Sequence, residues 1–530
     1  MHAARGHRRT TSKLPRNPCM IAWFVKRFRS SVEATQVLSR ECMMFRPVPI
    51  LALLSFALLS FALLTFTGPA AGFTSAERDA GARAHEGVVI RHGGAYYFPA
   101  LSEYVNQVGA RLADQTEEPP EAWTFTILDT ATATAFARPG GYVYVSRGLL
   151  ALANSEAELA AALAQPMAHL LTGALRPAAA GPMRPDTVLA PDALLDGLTG
   201  IADEGVAPAP PPRRDAGTPP PPDTEAEVAA AKRGVAMLAA AGYPTRAAAE
   251  LAVRLQTHDA LARRLDQTSR VAMLGATPEQ RDLIAAAIAE AVRAQPGAPE
   301  ADAGEADFKL MLQGLLYGDS PAQGLVREGA FVHPMLRFAF DLPEGFTVQF
   351  DAATLTARAP GGAVMILDTT ERVGSRLESY VRDDWAPALT RQVSSGYIYD
   401  LQSLEIGGFE AASAFQPYAD EDGAKVAQLF VIRTDQRVYR FRGIAPAEDI
   451  SASLAMEDAV RSFRRLPATE AVRYPPYWVQ IHQVRRGETM NLFAAAVPLR
   501  QGAESRFRDL NGYYGDRVPV IGDLVKLVME

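Results

Sequence analysis

The segment Glu156 to Leu171, EAELAAALAQPMAHLL, constrains the chain more than any other. It is an apolar, alanine-rich run that reads as a helix. Asn154 or Ser155 stands at its N-cap, with Glu158 placed for a capping box. Near its end Gln165 and His169 are four apart, so they share one helical face. Pro166 lies between them. Proline inside a helix removes a backbone donor and crowds the carbonyl one turn back, costing roughly 3 kcal/mol. A kink is therefore expected between Ala162 and Pro166.

The flanks are equally specific. Thr134 to Leu170 reads TAFARPGGYVYVSRGLLALANSEAELAAALAQPMAHL, preceded by ALSEYVNQVGARLADQ and WTFTILDT and followed by GVAMLAAAGYPTRAAAELAVRLQ. This frame resembles the HtpX/BepA-type zinc metallopeptidases, relatives of the CAAX prenyl protease. Members of that family carry a strand close to NAFALPGGYIYVTRGLL, then EAELAAVLGHEIGHV. The resemblance implies a mainly helical, gluzincin-type metallopeptidase domain with a small edge-strand sheet, inside an α+β multidomain chain.

It also implies where the chemistry would sit. The family motif is H-E-x-x-H, in which two imidazoles one turn apart share a metal and the glutamate serves as base for metal-bound water. A third protein ligand completes the site and leaves one position open. Here the five positions read Gln165, Pro166, Met167, Ala168 and His169. The third-ligand pattern is E-x-x-x-x-G-V followed by A-G-Y-x-P. With Gly234 setting the register, that ligand falls on Ala229 and the family's next aspartate on Ala231. The implied ligand positions are thus Gln165, His169 and Ala229, with Pro166 at the general-base position. Of these only His169 is a competent donor. No cofactor is expected, although active members hold zinc. A substitute set would draw on His169, on Glu225 one turn before Ala229, and on His258. In LQTHD, His258 resembles a T-H-P element with Asp259 in place of the proline. Glu227 points about 160° away from Ala229 on the helix. A single imidazole gives too little zinc affinity, so a packed or solvated helix histidine is the plainer reading of His169.

Active members bind substrate backbone along the A-L-P-G-G strand by edge pairing. That role carries over to Gly140, Gly141, Tyr142 and Val143, with Arg138 at a leucine position. Protein or peptide ligands along this edge strand are the implied partners. The net charge is −7. No basic patch with interleaved aromatics points to nucleic acid.

An apolar run from Val48 to Phe66 follows Arg46 and precedes the small residues PAAG. It reads as a signal peptide starting at Met43 or Met44, with cleavage after Gly72 or Ala76 and export to the periplasm. The run is also long enough to span a bilayer, so an uncleaved anchor is the competing reading. Cys19 and Cys42 both precede it. A processed chain would have no disulfide framework, thiolate metal site or cysteine nucleophile.

The expected organisation is an N-terminal extension and signal over 1–76, then a metallopeptidase-like domain over 77–295 with a proline-rich insert at 207–223. An α+β domain over 305–468 and a small domain over 474–530 follow. Within these, Ala100 to Gln115 has helical periodicity through Leu101, Tyr104, Val105, Val108 and Leu112. Trp123 to Leu128 and Gly141 to Val145 read as strands. Residues 225 to 295 read as alanine-rich helices. The start FAFDLPEGF and the end SFRRL of the third region resemble PsbP-like α+β domains. The tail, with V-x-x-G-E-T, LNG and GDLVKL, resembles a LysM domain of βααβ order. That resemblance implies binding of N-acetylglucosamine chains such as peptidoglycan, through Gly487, Thr489 and Asn511. His333 reads as a structural histidine. His85 and His92 read as surface residues, since Gly93 and Gly94 break any helix shared beyond them.

These features predict an exported metallopeptidase-family protein that is catalytically inactive, a pseudoprotease acting by binding. The alternatives are an active zinc metalloendopeptidase with atypical ligands and a peptidoglycan-associated structural protein.

Overall fold

A computed structural model describes residues 72–172, 224–265, 278–295, 297, 304–350, 354–370, 373–390, 397–420, 423–435, 437–498 and 502–530. The apolar run 48–66 and the insert 207–223 lie outside the described residues. Among the described residues no helix is long and apolar enough to cross a membrane.

Helix α1 (Ser75–Arg91) begins at Thr74 with a reciprocal capping box: the Thr74 hydroxyl accepts from the Glu77 N–H, and the Glu77 carboxylate accepts from the Thr74 N–H at 2.8 Å. Phe73 packs edge-on against Trp123. The folded body therefore includes residues just before 77. Helix α2 (Pro99–Ala113) buries Leu101, Val105, Val108 and Leu112, the face its periodicity marks.

Strands β1 (Thr124–Leu128), β2 (Ala135–Arg138) and β3 (Tyr142–Ser146) form a sheet in the order β1-β3-β2. β3 lies parallel to β1 and antiparallel to β2. This corrects the expectation of an edge strand at Gly140–Val143. Tyr142 and Val143 lie in the central strand with partners on both sides, and β2 is the outer antiparallel strand of the sheet. The turn explains the pairing. Gly140 and Gly141 both have positive φ, near +82° and +87°, which folds β2 back on β3. Neither can carry a side chain, because a Cβ would run into the α1 backbone at Arg78 or into the Ala122 carbonyl.

Helix α3 (Arg147–Leu152) leads into α4 (Glu156–Leu171). α4 continues as a helix through Pro166. Leu159, Leu163 and Met167 are fully buried on it. Their burial, worth about 1.5–3 kcal/mol each, offsets the one hydrogen bond the proline forfeits. Helices α5 (Thr224–Ala240), α6 (Arg246–Arg264) and α7 (Pro278–Ala294) complete this half. They share one apolar core with α2, α4 and the small sheet.

After α8 (Glu305–Met311) and β4 (Leu316–Tyr317) the chain becomes strand-rich. β5 (Leu325–Arg327), β6 (Ala330–His333) and β7 (Phe338–Asp341) form a meander that β15 (Arg464–Arg465) extends. β8 (Thr347–Phe350), β9 (Thr354–Arg358), β10 (Val364–Thr370), β11 (Tyr399–Ile406), β12 (Phe409–Asp420), β13 (Gly423–Arg433) and β14 (Val438–Pro446) make a seven-stranded sheet. Helical turns over 377–390 and the helix Ile450–Arg461 cover it. The whole is α+β and multidomain in character.

The tail has the order strand, helix, helix, strand: β16 (Tyr477–Gln483), Met490–Ala496, Ala503–Asn511 and β17 (Leu524–Met529). β16 pairs with β17 and also with β4, so the sheet continues into the preceding segment. The tail is fastened to the helical half by one fully buried amine. Lys526 Nζ donates to the carbonyls of Ala151 (2.6 Å), Leu152 (3.3 Å) and Ala153 (2.8 Å). Those carbonyls end α3, where a helix leaves acceptors unsatisfied and negative potential accumulates. Burial pulls the Lys526 pKa well down, while three carbonyl acceptors favour its charged form.

Lys526→Ala would strand these carbonyls in the interior. It is expected to cost roughly 3 kcal/mol of folding stability, measured by urea denaturation. A loss below about 1 kcal/mol would show that the amine does not hold the interface.

Candidate functional site

The start of α4 is built from charge. Ser155 is the N-cap, its hydroxyl accepting from the Glu158 N–H at 3.1 Å. Glu158 does not close the box on Ser155. Its carboxylate accepts from the Asn154 N–H at 2.8 Å and from both Arg254 Nη2 (2.7 Å) and Nε (3.1 Å). Both side chains are buried. A carboxylate at a helix N-terminus that is also paired with a guanidinium has its burial compensated twice.

Further along, Gln165 is half-buried and lines a small cleft with Ala161, Ala231, Gly234 and Leu255. The helices approach closely here, since a Cβ on Gly234 would stand 3.4 Å from the Gln165 Cα. One turn on, His169 Nε2 lies 3.1 Å from Glu227 Oε2. The side chains are 15% and 12% exposed, so the pair is largely withdrawn from water.

This contact corrects the expected ligand register. Glu227, Ala231 and Gly234 are four and seven apart on α5 and form the face turned toward α4. Ala229 and Glu225 are both exposed. Gly234 gives the register of the motif, but packing against α4 selects the face, and that face presents Glu227. The substitute set of His169, His258 and Glu225 is not assembled. His258 is held by Asp509 of the tail at 2.6 Å, and among the described residues no three His, Cys, Asp or Glu side chains gather as a metal site. The residues present do not fit a catalytic zinc centre. They offer one imidazole, one carboxylate and one amide, and Pro166 has no group that accepts a proton.

In the tail, Asn511 is corrected from a glycan contact to an internal strut. Its Nδ2 donates to the carbonyls of Phe507 (3.0 Å) and Lys526 (2.9 Å), and its Oδ1 accepts from the Lys526 N–H at 2.7 Å. Gly487 and Thr489 are exposed. Gly487 has φ near +88°, and Thr489 precedes the helix Met490–Ala496 as its N-cap.

Among the described residues the remaining histidines are half-buried or buried. His85 Nδ1 meets the Tyr144 hydroxyl at 2.9 Å, and His92 packs on Phe136 with its Nδ1 against the Val88 carbonyl. Both line the small sheet, where the sequence suggested surface positions. His333 is buried and accepts from the Leu336 N–H through Nδ1 at 3.2 Å.

Sequence reasoning missed Lys526, Arg254 and Arg147. The Arg147 guanidinium is buried on Asp129 (2.5 Å) and on the Gly318 carbonyl (2.6 Å). A charged residue inside an otherwise apolar stretch was the available signal for all three. The distant partners are not visible in a single chain of letters.

Residues 99–272 match the model for Peptidase family M48. A curated relative, described as "Putative beta-barrel assembly-enhancing protease" from Vibrio cholerae, is 38% identical over 72 residues. That match covers 14% of this chain and 15% of the relative's length. Among solved structures, the Saccharomyces cerevisiae Ran-binding protein Mog1p is 14% identical, with 25% of this chain and 92% of that chain covered and a TM-score of 0.21. Cyanobacterial PsbP from Synechocystis is 9% identical, with 24% and 86% covered and a TM-score of 0.21. Scores this low do not establish a shared fold.

Burial, reinforced by the Arg437 guanidinium, pushes the His333 pKa down to about 4. The folded state then binds fewer protons than the unfolded state between that value and the ordinary 6.5. Stability is full above pH 6.5 and falls as the pH drops toward 4, by up to about 3 kcal/mol. In denaturation curves at pH 7 and pH 4.5, His333→Phe is expected to remove this share of the acid sensitivity. An unchanged difference between the two pH values would contradict the assignment.

Proposed function

We propose that this chain is a non-catalytic protein on a metallopeptidase scaffold, acting by binding in the periplasm. The observation that carries the reading is the His169–Glu227 pair beside Gln165 and Pro166. The frame that positions a hydrolytic site is kept, while the second imidazole and the base are missing. Hydrolysis needs an activated water, and no side chain next to His169 on α4 can take its proton.

The binding element we assign is β2, the antiparallel edge of the small sheet. Its outer backbone groups can pair with an extended peptide. Phe136 and Arg138 lie on one face of it, with the Arg138 guanidinium 5.4 Å from the Phe136 ring centroid. Unfolded or partly folded polypeptide is the ligand class that suits such an edge. The name of the Vibrio cholerae relative supports an envelope location, as does the apolar run 48–66. The tail has a docking role in this reading, because Asn511 and Lys526 are used within the molecule.

The test is a casein cleavage assay on the full chain with and without chelator, beside an unfolded-polypeptide binding assay. Binding is expected without chelator-sensitive cleavage. Arg138→Ala, which removes the guanidinium beside the Phe136 ring, is expected to weaken binding by about tenfold. Cleavage that chelator stops and His169→Ala abolishes would overturn the reading.

A further inference from the structure

The tail carries two tight turns that lie side by side, one after β16 and one before β17. The first, Arg485-Arg486-Gly487-Glu488, closes with the Glu488 N–H donating to the Arg485 carbonyl at 3.2 Å. The second, Val520-Ile521-Gly522-Asp523, closes with the Asp523 N–H donating to the Val520 carbonyl at 3.1 Å. Gly487 and Gly522 stand third, with φ near +88° and +98°. A type II turn requires a positive φ there, which glycine adopts without strain. In each turn the fourth residue's carboxylate also accepts from the first residue's N–H: Glu488 from Arg485 at 2.7 Å, and Asp523 from Val520 at 3.0 Å. Val484 joins the two, donating to the Asp523 carbonyl and accepting from the Gly522 N–H, both at 2.9 Å.

The side chains that the turns present differ. The second holds Val520 and Ile521 out in water, 59% and 69% exposed, with Val518 just before them 50% exposed. Two bonds to Asp523 prevent this tip from folding back, and the Tyr513 hydroxyl fixes Asp523 in turn at 3.0 Å. The first turn presents Arg485 and Arg486, both exposed, and Arg517 before the aliphatic tip is exposed too. The carboxylates of Glu488 and Asp523 are turned to backbone N–H groups. Of the acidic residues in 484–488 and 515–523, Asp516 alone is exposed.

We propose that this tip docks on an anionic lipid surface. Val518, Val520 and Ile521 enter the boundary between headgroups and acyl chains, while Arg485, Arg486 and Arg517 meet headgroup phosphates. Apolar burial supplies the attachment, and the cationic rim adds a preference for anionic lipid. Arginine suits that rim, because its methylene stem lies along apolar surface while its charged head stays among the headgroups. A sugar chain would need hydrogen-bonding groups at the tip, and the three aliphatic side chains offer none. The localisation proposed above puts a membrane within reach, but the lipid assay does not depend on it.

Vesicle flotation tests the proposal. Residues Ala71–Glu530 form a compact unit of their own, and they lack the apolar run 48–66, which would hold lipid by itself. With vesicles of equal parts phosphatidylglycerol and phosphatidylcholine, flotation is expected to exceed that with pure phosphatidylcholine at least about fivefold. Ile521→Asp and Val520→Asp should each lower it about tenfold. Both positions are exposed, so circular dichroism should show the fold unchanged. Arg485→Glu combined with Arg486→Glu should remove the preference for phosphatidylglycerol, and salt at about 0.5 M should weaken it. The inference is overturned if 71–530 floats with neither vesicle, if it floats equally with both, or if the folded variants float as the unsubstituted chain does. Capture on peptidoglycan that Ile521→Asp abolishes, without flotation, would assign the tip to glycan instead. The assay reads neither cleavage nor peptide binding, so its failure and the failure of the non-catalytic reading are separate results.

Discussion

The buried pair between Glu158 and Arg254 is the interaction on which the molecule's arrangement depends. It holds the first turn of α4 against α6, and through Arg254 it reaches the tail, where Gly512 has no side chain because the guanidinium lies over it. Asn154, Asp509 and Lys526 continue the same polar seam. Breaking a buried pair by removing one partner costs several kcal/mol, because the other charge is left without compensation. The seam is therefore intolerant of piecemeal change.

The tail follows from the same physics. A lysine at the core of a small sheet is costly unless acceptors meet it, and the end of α3 supplies three. Asn511 then stitches the helix Ala503–Asn511 to β17 through both amide N–H groups and its carbonyl oxygen. Of the residues expected to read glycan, Asn511 is thus used inside the tail, while Gly487 and Thr489 are exposed.

Periodicity made the helices and strands between residues 99 and 171 legible, because alternation and helical spacing are local properties. It could not give sheet order. β3 looked like an edge because the motif placed it there, yet pairing with β1 and β2 is set by contacts far apart in sequence. Pro166 sits inside α4 without ending it, because most of the side chains around it are buried. At α5 the motif sets the spacing and not the rotation. Whether residue 227 or residue 229 faces α4 is decided by which small residues pack at the crossing, and Ala231 and Gly234 decide for 227.

Packing and the His169–Glu227 pair hold α4 against α5. Amide hydrogen exchange along Glu156–Leu171 tests it most directly, measured on the full chain before and after exhaustive chelation. The account predicts the same protection in both. Faster exchange through the turn containing His169 after chelation would show that a metal fastens these helices, and would contradict it.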